Sequence, residues 1–222
     1  MSYPCWGVLP KNDSQKQAIL HLLNPDVDLV ILQGVAGSGK TLLALAAGLE
    51  QVLNQKQYTD ILFTRAPVGV GADLGYLPGE IDDKMIPWCG ALFDNLDMLI
   101  NTAKMSKLQK DGTHMVITNS VKLCAMMHMR GRSLYNKWVI VDEVQNLHPS
   151  ELKVLITRAG EGTKIVLMGD TSQIDNKKLT TEYNALTNVI EVYDHSMPDY
   201  VKSITLPEGV RSRLCSWGAE CL

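Results

Sequence analysis

Residues 28–55 read DLVILQGVAGSGKTLLALAAGLEQVLNQ, and three kinds of chain follow one another within them. Asp28 to Leu32 is a short, continuously apolar run, the pattern of a strand covered on both faces. A glycine-rich turn follows, Gly34-Val35-Ala36-Gly37-Ser38-Gly39-Lys40-Thr41, and Thr41 to Gln55 carries a helical signal. The turn satisfies G-x-x-x-x-G-K-[ST] in the strand-then-helix context that this pattern requires. Glycines at 34, 37 and 39 open backbone conformations closed to other residues, so that N–H groups can converge on phosphate oxygens at the positive end of a helix. Lys40 is then expected to reach β- and γ-phosphates, and the Thr41 hydroxyl to coordinate Mg²⁺.

Outward from this stretch, further Val- and Ile-rich runs at Asp60–Thr64, Met115–Thr118, Trp138–Val141 and Lys164–Met168 read as buried strands alternating with helices. That alternation predicts an α/β fold with a parallel sheet and helices on both faces. Lys202–Leu206, lying between Pro198 and Pro207, reads as a further strand, either at the sheet edge or as a late addition. Ala66 to Trp88 holds three prolines and four glycines and reads as a long irregular excursion, with Tyr76 and Trp88 as aromatics that could stack on bases. The length of 222 residues suits one domain, expected over 1–222.

The run Val139-Ile140-Val141 delivers Asp142 and Glu143 at its carboxyl end, where open parallel sheets place their ligands. Asp142 is expected to hold the magnesium ion. Glu143 is expected to orient and deprotonate a water for in-line attack on the γ-phosphate, which favours hydrolysis over binding alone.

Composition excludes several classes. With 45% hydrophobic and 20% charged residues, the chain is neither disordered, collagenous nor a disulfide scaffold. The longest apolar stretch, Leu42 to Leu49, falls far short of the roughly 20 residues a bilayer requires, and Met1 to Pro10 lacks a signal-peptide pattern. The five cysteines include no C-x-x-C pair and the five histidines no metal-ligand spacing, so a cytoplasmic setting without a protein-ligated metal centre is expected. Net charge is −3, yet Lys104 to Lys137 carries seven basic residues against the single acid Asp111. Either a basic face for nucleic acid or a solvated surface accounts for that run.

Asp142-Glu143-Val144-Gln145-Asn146 resembles the D-E-A-Q-N string of PhoH-like ATPases, relatives of the superfamily 1 helicase core. In order along the chain, Thr64-Arg65-Ala66-Pro67-Val68, Gly75-Tyr76-Leu77-Pro78-Gly79, Met129-Arg130-Gly131-Arg132 and Gly169-Asp170-Thr171-Ser172-Gln173-Ile174-Asp175 are similar to further motifs of that family. Asn12-Asp13-Ser14-Gln15 with Ala18 resembles the superfamily's adenine-reading glutamine motif. The likeness runs from about Asn12 to Trp217, and the compact length looks like the phage-encoded branch, which would place the protein in a host cytoplasm. Ala66 before Pro67, and Val144 in place of alanine, depart from the family pattern without touching a catalytic group.

The resemblance implies a RecA-like P-loop sheet in which another strand separates the phosphate-binding strand from the Asp142 strand. It implies ATP with Mg²⁺ as ligands, Gln15 at the adenine, Gln173 as γ-phosphate sensor and an arginine finger at Arg211 or Arg213. Arg65, Arg130 and Arg132 become candidates for contacting RNA or single-stranded DNA, and a hexameric assembly is expected. No second RecA-like domain, nuclease domain or RNA-binding module is read, so unwinding by a single core would need a neighbouring subunit. Three functions compete: a polymer-coupled ATPase, an ATP-gated assembly protein with little turnover, and a small-molecule kinase. Glu143 and Gln173 together argue for water as the acceptor and against the kinase.

Overall fold

The computed structural model describes residues 5–67, 89–102, 107–129 and 131–209. Six strands form one all-parallel sheet: β1 (Leu29–Gly34), β2 (Asp60–Arg65), β3 (Val121–Leu123), β4 (Lys137–Asp142), β5 (Lys164–Gly169) and β6 (Val201–Leu206). Their order across the sheet is β3-β2-β4-β5-β1-β6. β5 therefore lies between the phosphate-loop strand and the Asp142 strand, as the resemblance implied. Among the described residues β6 pairs with β1 alone, which makes it an edge strand, one of the two places its flanking prolines left open.

Helices cover both faces. On one side pack α1 (Asp13–Leu23), α2 (Lys40–Leu49) and α3 (Gly90–Thr102), and on the other α6 (Pro149–Ile156) and α7 (Ala185–Ser196); α4 (Lys107–Ser120) and the short α5 (Met126–Met129) lead to and from β3. The period-2 alternation of strand side chains divides the apolar interior accordingly. Val30, Leu32, Trp138, Ile140, Val166 and Met168 join the core under α1 and α2. Their neighbours Ile31, Val139, Val141, Ile165 and Leu167 join the core under α6 and α7. Continuous apolarity in β1, β4 and β5 is thus a direct record of burial on two faces. This is a RecA-like α/β fold.

Two local expectations differ from the structure. Met115–Thr118 is not a strand but lies inside α4, where Ile117 is buried and Met115, Val116 and Thr118 are exposed. A four-residue apolar run cannot tell a strand from one turn of helix, and the third strand of the sheet is the next segment, Val121–Leu123. The helix from the phosphate loop ends as α at Leu49 and continues as a π-turn over Glu50–Asn54. Part of the basic run is paired within the chain: Lys122 and Lys137 both donate to the Asp60 carboxylate, at 2.6 and 2.9 Å. Asp60 and Lys137 begin their strands, so this cluster sits at the amino edge of the sheet, opposite the phosphate loop.

Candidate active site

Gly34 ends β1 in contact with β6. A Cβ there would stand 2.5 Å from the Leu206 carbonyl oxygen and 2.9 Å from Leu206 Cβ, so only glycine lets the loop leave the sheet between these strands. Gly34→Ala is expected to lower stability by roughly 1–3 kcal/mol through forced separation of β1 and β6. A thermal melt beside a nucleotide-binding titration checks this, and an unchanged melt would contradict it. Gly37 and Gly39 have φ of 77° and 91°, left-handed values that side chains rarely adopt, and Gly39 is the N-cap of α2. The loop thereby turns its backbone toward the first turn of α2, where Lys40 and Thr41 sit.

Lys40 Nζ donates to the carbonyls of Gly34 at 2.6 Å and Val35 at 3.1 Å, which aligns the side chain along the loop. Burial pulls its proton affinity down, while Asp170, Asp142 and Glu143 pull it up. The phosphate-loop lysine and these three acids therefore share one electrostatic field, although the acids come from the ends of two other strands.

Asp142 closes β4 and is 7% exposed. Burial first, and the neighbouring Glu143 second, push its carboxyl up to about 6. Glu143 leaves the strand with φ 56° and ψ 40°, a left-handed conformation that a non-glycine residue holds only when its surroundings dictate it. Those surroundings are Arg65 and Gln145. Arg65 Nη2 donates to Glu143 Oε1 at 3.1 Å, and its Nη1 lies 3.5 Å from Asp142 Oδ2. Parallel pairing puts Arg65 directly beside Asp142 in the register, which is why one guanidinium spans both acids. Gln145 Nε2 donates to the other Glu143 oxygen, Oε2, and to the Gln173 carbonyl oxygen at 2.9 Å, and its Oε1 accepts from Asp170 N–H at 3.1 Å.

The segment after β5 is held as a rigid turn. Asp170 accepts from Ser172 N–H and Oγ–H at 2.9 and 2.6 Å and from Gln173 Nε2 at 2.9 Å. Against the opposing effect of burial, these donors and Lys40 hold its carboxyl below the usual carboxylate range. Asn146 Oδ1 accepts from the N–H groups of Asp175 and Asn176 at 2.8 and 3.2 Å. Gln33 Nε2 reaches Thr171 Oγ1 at 3.3 Å, tying the end of β1 to the same turn.

On the α1 side, Gln15 is nearly buried, and both ends of its amide are engaged. Its Oε1 accepts from Lys11 N–H at 2.9 Å and its Nε2 donates to the Ser38 carbonyl at 3.0 Å. Gln15 with Leu9, Gly39, Thr41, Asn95 and Met98 helps line a pocket of about 590 Å³ that opens beside the phosphate loop. The carbonyl bond makes Gln15 a brace for the loop as well as a wall of this pocket.

The structure thus brings Gln15, the loop Gly34–Thr41, Arg65, Asp142, Glu143 and Gln173 to the carboxyl edge of the sheet. Arg132 is exposed after α5, while Arg130, Arg211, Arg213, Tyr76 and Trp88 lie outside the described residues. Sequence reasoning named Gln145 only as part of a string and gave it no role, yet it is fully buried and links Glu143 to the turn after β5. Its signal was a polar pair, Gln145-Asn146, set between apolar Val144 and Leu147 just beyond a buried strand.

The donor set suits a nucleotide with a divalent cation. Glycines at positive φ let a loop at a helix N-terminus turn backbone N–H groups toward phosphate, and an acid at the end of β4 is the kind of oxygen ligand Mg²⁺ takes alongside phosphate oxygens.

The family profile described as PhoH-like protein matches residues 7–221. Protein PhoH2 of Bacillus subtilis (strain 168) is 43% identical over 217 residues, covering 98% of this chain and 48% of the relative. Protein PhoH2 of Mycolicibacterium smegmatis is 34% identical over 218 residues, again covering 98% and 48%. The PhoH-like protein of Mycobacterium leprae is 32% identical over 210 residues, covering 94% and 56%. The chain spans about half the length of these curated relatives. Among solved structures, the Pif1 helicase of Candida albicans aligns over 90% of this chain and 40% of its own, with 14% identity and a TM-score of 0.39.

Proposed function

The chain belongs to the PhoH family, and we propose from that premise that residues 1–222 form one magnesium-dependent ATPase domain whose cycle is coupled to RNA or single-stranded DNA. The observation that carries the reading is the placement of Asp142 and Glu143 at the end of β4, and of Asp170 after β5, at the same carboxyl edge of the sheet as the phosphate loop. A site for magnesium–nucleotide binding alone needs the loop, the lysine and one acid for the cation; Glu143 beside Asp142 is the added acid that hydrolysis needs.

In this reading the N–H groups of Gly34, Val35, Ala36, Gly37, Ser38, Gly39, Lys40 and Thr41 cradle the phosphates, and Lys40 swings its Nζ from the loop carbonyls to the β- and γ-oxygens. Thr41 and Asp142 hold Mg²⁺, which when bound neutralises phosphate charge. Glu143 takes a proton from the attacking water and Gln173 reports the γ-phosphate. Arg211 or Arg213 stabilises the transferring phosphoryl, an effect of about 10³ or more in rate for such arginines. Gln15 and the pocket beside it receive the base. A finger supplied by a neighbouring copy makes a ring-shaped homo-oligomer, a hexamer by resemblance, part of the proposal. Arg65, Arg130 and Arg132 are the candidate polymer contacts. Among the described residues no helix is long and apolar enough to cross a membrane, and cytoplasmic action is the setting we propose.

A second reading, ATP-gated assembly with little turnover, is favoured by one observation: both carboxylate oxygens of Glu143 are already engaged, by Arg65 and Gln145. Steady-state ATP hydrolysis by wild type and Glu143→Gln, with and without single-stranded RNA and DNA at two salt concentrations, decides. We expect Glu143→Gln to lose about 10²–10⁴-fold in turnover while still binding ATP. We also expect the polymer affinity that underlies the stimulation of wild type to fall by roughly 0.7 log units per phosphate contacted for each tenfold rise in salt. ATP binding without Glu143-dependent turnover under any condition would leave the assembly reading in its place.

A further inference from the structure

We propose that Arg65 is a brake on Glu143 and that a phosphate of a single-stranded polymer releases it; the proposal rests on the polymer-coupled ATPase reading above and names the residue that performs the coupling. A general base must offer an oxygen lone pair to its water. Oε1 of Glu143 receives Arg65 Nη2 at 3.1 Å, and Oε2 receives Gln145 Nε2. The left-handed backbone at Glu143 fixes the carboxylate in that embrace. The two arms differ in what holds them. Gln145 is fully buried and bonded to Asp170 and Gln173 as well, so it belongs to the frame. Arg65 is the last residue of β2, and its side chain is 22% exposed at the edge where ligands arrive.

The same guanidinium lies 3.5 Å from Asp142 Oδ2, so it sets a fixed positive charge against the carboxylate assigned to the magnesium ion. Arg65 therefore opposes the active arrangement twice, by occupying an oxygen of the base and by competing for the acid that holds the cation. Its guanidinium has five N–H donors. Nε is buried and meets no acceptor among the described residues, so the present rotamer leaves a donor unsatisfied that a swing of the side chain toward solvent would expose. A phosphodiester presents two oxygens at the spacing that a guanidinium fork takes up in bidentate fashion. A rotation of the side chain about its own χ angles exchanges the carboxylates for the phosphate and leaves Glu143 Oε1 open to water.

The test compares wild type, Arg65→Gln and Arg65→Lys with and without single-stranded oligouridylate, and follows Mg²⁺-dependent binding of a fluorescent ATP analogue with each substitution placed on a Glu143→Gln background. Arg65→Gln is expected to raise oligouridylate-free turnover about tenfold, the equivalent of one lost charge-assisted hydrogen bond, and to bring the stimulation ratio near one. On the silent background it should also lower the Mg²⁺ concentration needed for half-maximal binding. Arg65→Lys keeps the charge but cannot span two carboxylates, so it should fall between; it carries the test alone if Arg65→Gln does not fold. Oligouridylate-free turnover that drops or stays unchanged in both variants, with stimulation retained, overturns the brake. A drop with stimulation retained would point instead to Arg65 serving the γ-phosphate. Failure of Glu143→Gln to bind the analogue at all would sink the ATPase reading itself, and so is distinguished from failure of the brake.

Discussion

In magnesium-free buffer at pH 8, Asp142→Asn should melt above wild type by roughly 6–12 °C, and with magnesium restored it should lack the wild-type turnover. The physical cause is the carboxyl held up to about 6, by burial first and by Glu143 second, against an ordinary 3.8. A group whose folded-state proton affinity is raised contributes stability that is complete below its unfolded value and gone above its folded one. The wild-type protein therefore carries the full cost of a buried charge above pH 6, part of it between about 4 and 6, and none below. At about 1.36 kcal/mol per unit this amounts to roughly 3 kcal/mol, and about 2–4 °C per kcal/mol for a chain of this size yields the expected shift. The amide removes that cost without unseating Arg65, which keeps its bond to Glu143. Melts at pH 4, 6 and 8 check the sign, because the difference should grow from near zero to its plateau. A difference independent of pH would mean that the stabilisation has another source.

Gln145→Leu should act in the opposite direction on stability. The side chain is fully buried and serves Glu143, Gln173 and the Asp170 amide at once. Leucine fills nearly the same volume but strands a buried N–H and a carbonyl, each costing about 1–3 kcal/mol. We expect a loss of roughly 2–4 kcal/mol in a denaturant titration, with turnover falling about tenfold or more because Glu143 and the Gln173 turn are no longer tied together. Gly169→Ala offers an independent lesion at the same place, since a Cβ there meets Gln145 Oε1 and stands 2.7 Å from Leu186 Cδ2. If Gly169→Ala loses turnover while Gln145→Leu does not, Gln145 is packing and not a link.

The site was partly legible before any coordinates. The glycines at 34, 37 and 39, the lysine and hydroxyl after them, and the two acids after an apolar run are all local patterns, and the structure gathers them at one edge. Arg65 was legible only as a positive charge. Its position between Asp142 and Glu143 comes from the pairing of β2 with β4, strands separated by more than seventy residues. Met115–Thr118 was misread for a related reason: four apolar residues carry no usable period, and whether they join a sheet depends on which neighbours are available. The basic run from Lys104 to Lys137 is broken in a similar way by Asp60, which lies far from it along the chain and takes two of its lysines.

What the amino-acid sequence determined by itself is whatever depends on neighbours along the chain. Continuous apolarity set β1, β4 and β5 inside a parallel sheet, and glycine's missing Cβ set the shape of the phosphate loop. A short run of Val and Ile placed two carboxylates at a strand's end. Only the tertiary structure decided the strand order, with β5 between β1 and β4, the spanning of both acids by Arg65, and the fastening of Glu143 to the turn after β5 through Gln145. Those features depend on which side chains long-range packing brings within hydrogen-bond distance, and a carboxylate's neighbours across a sheet leave no period or spacing in the sequence.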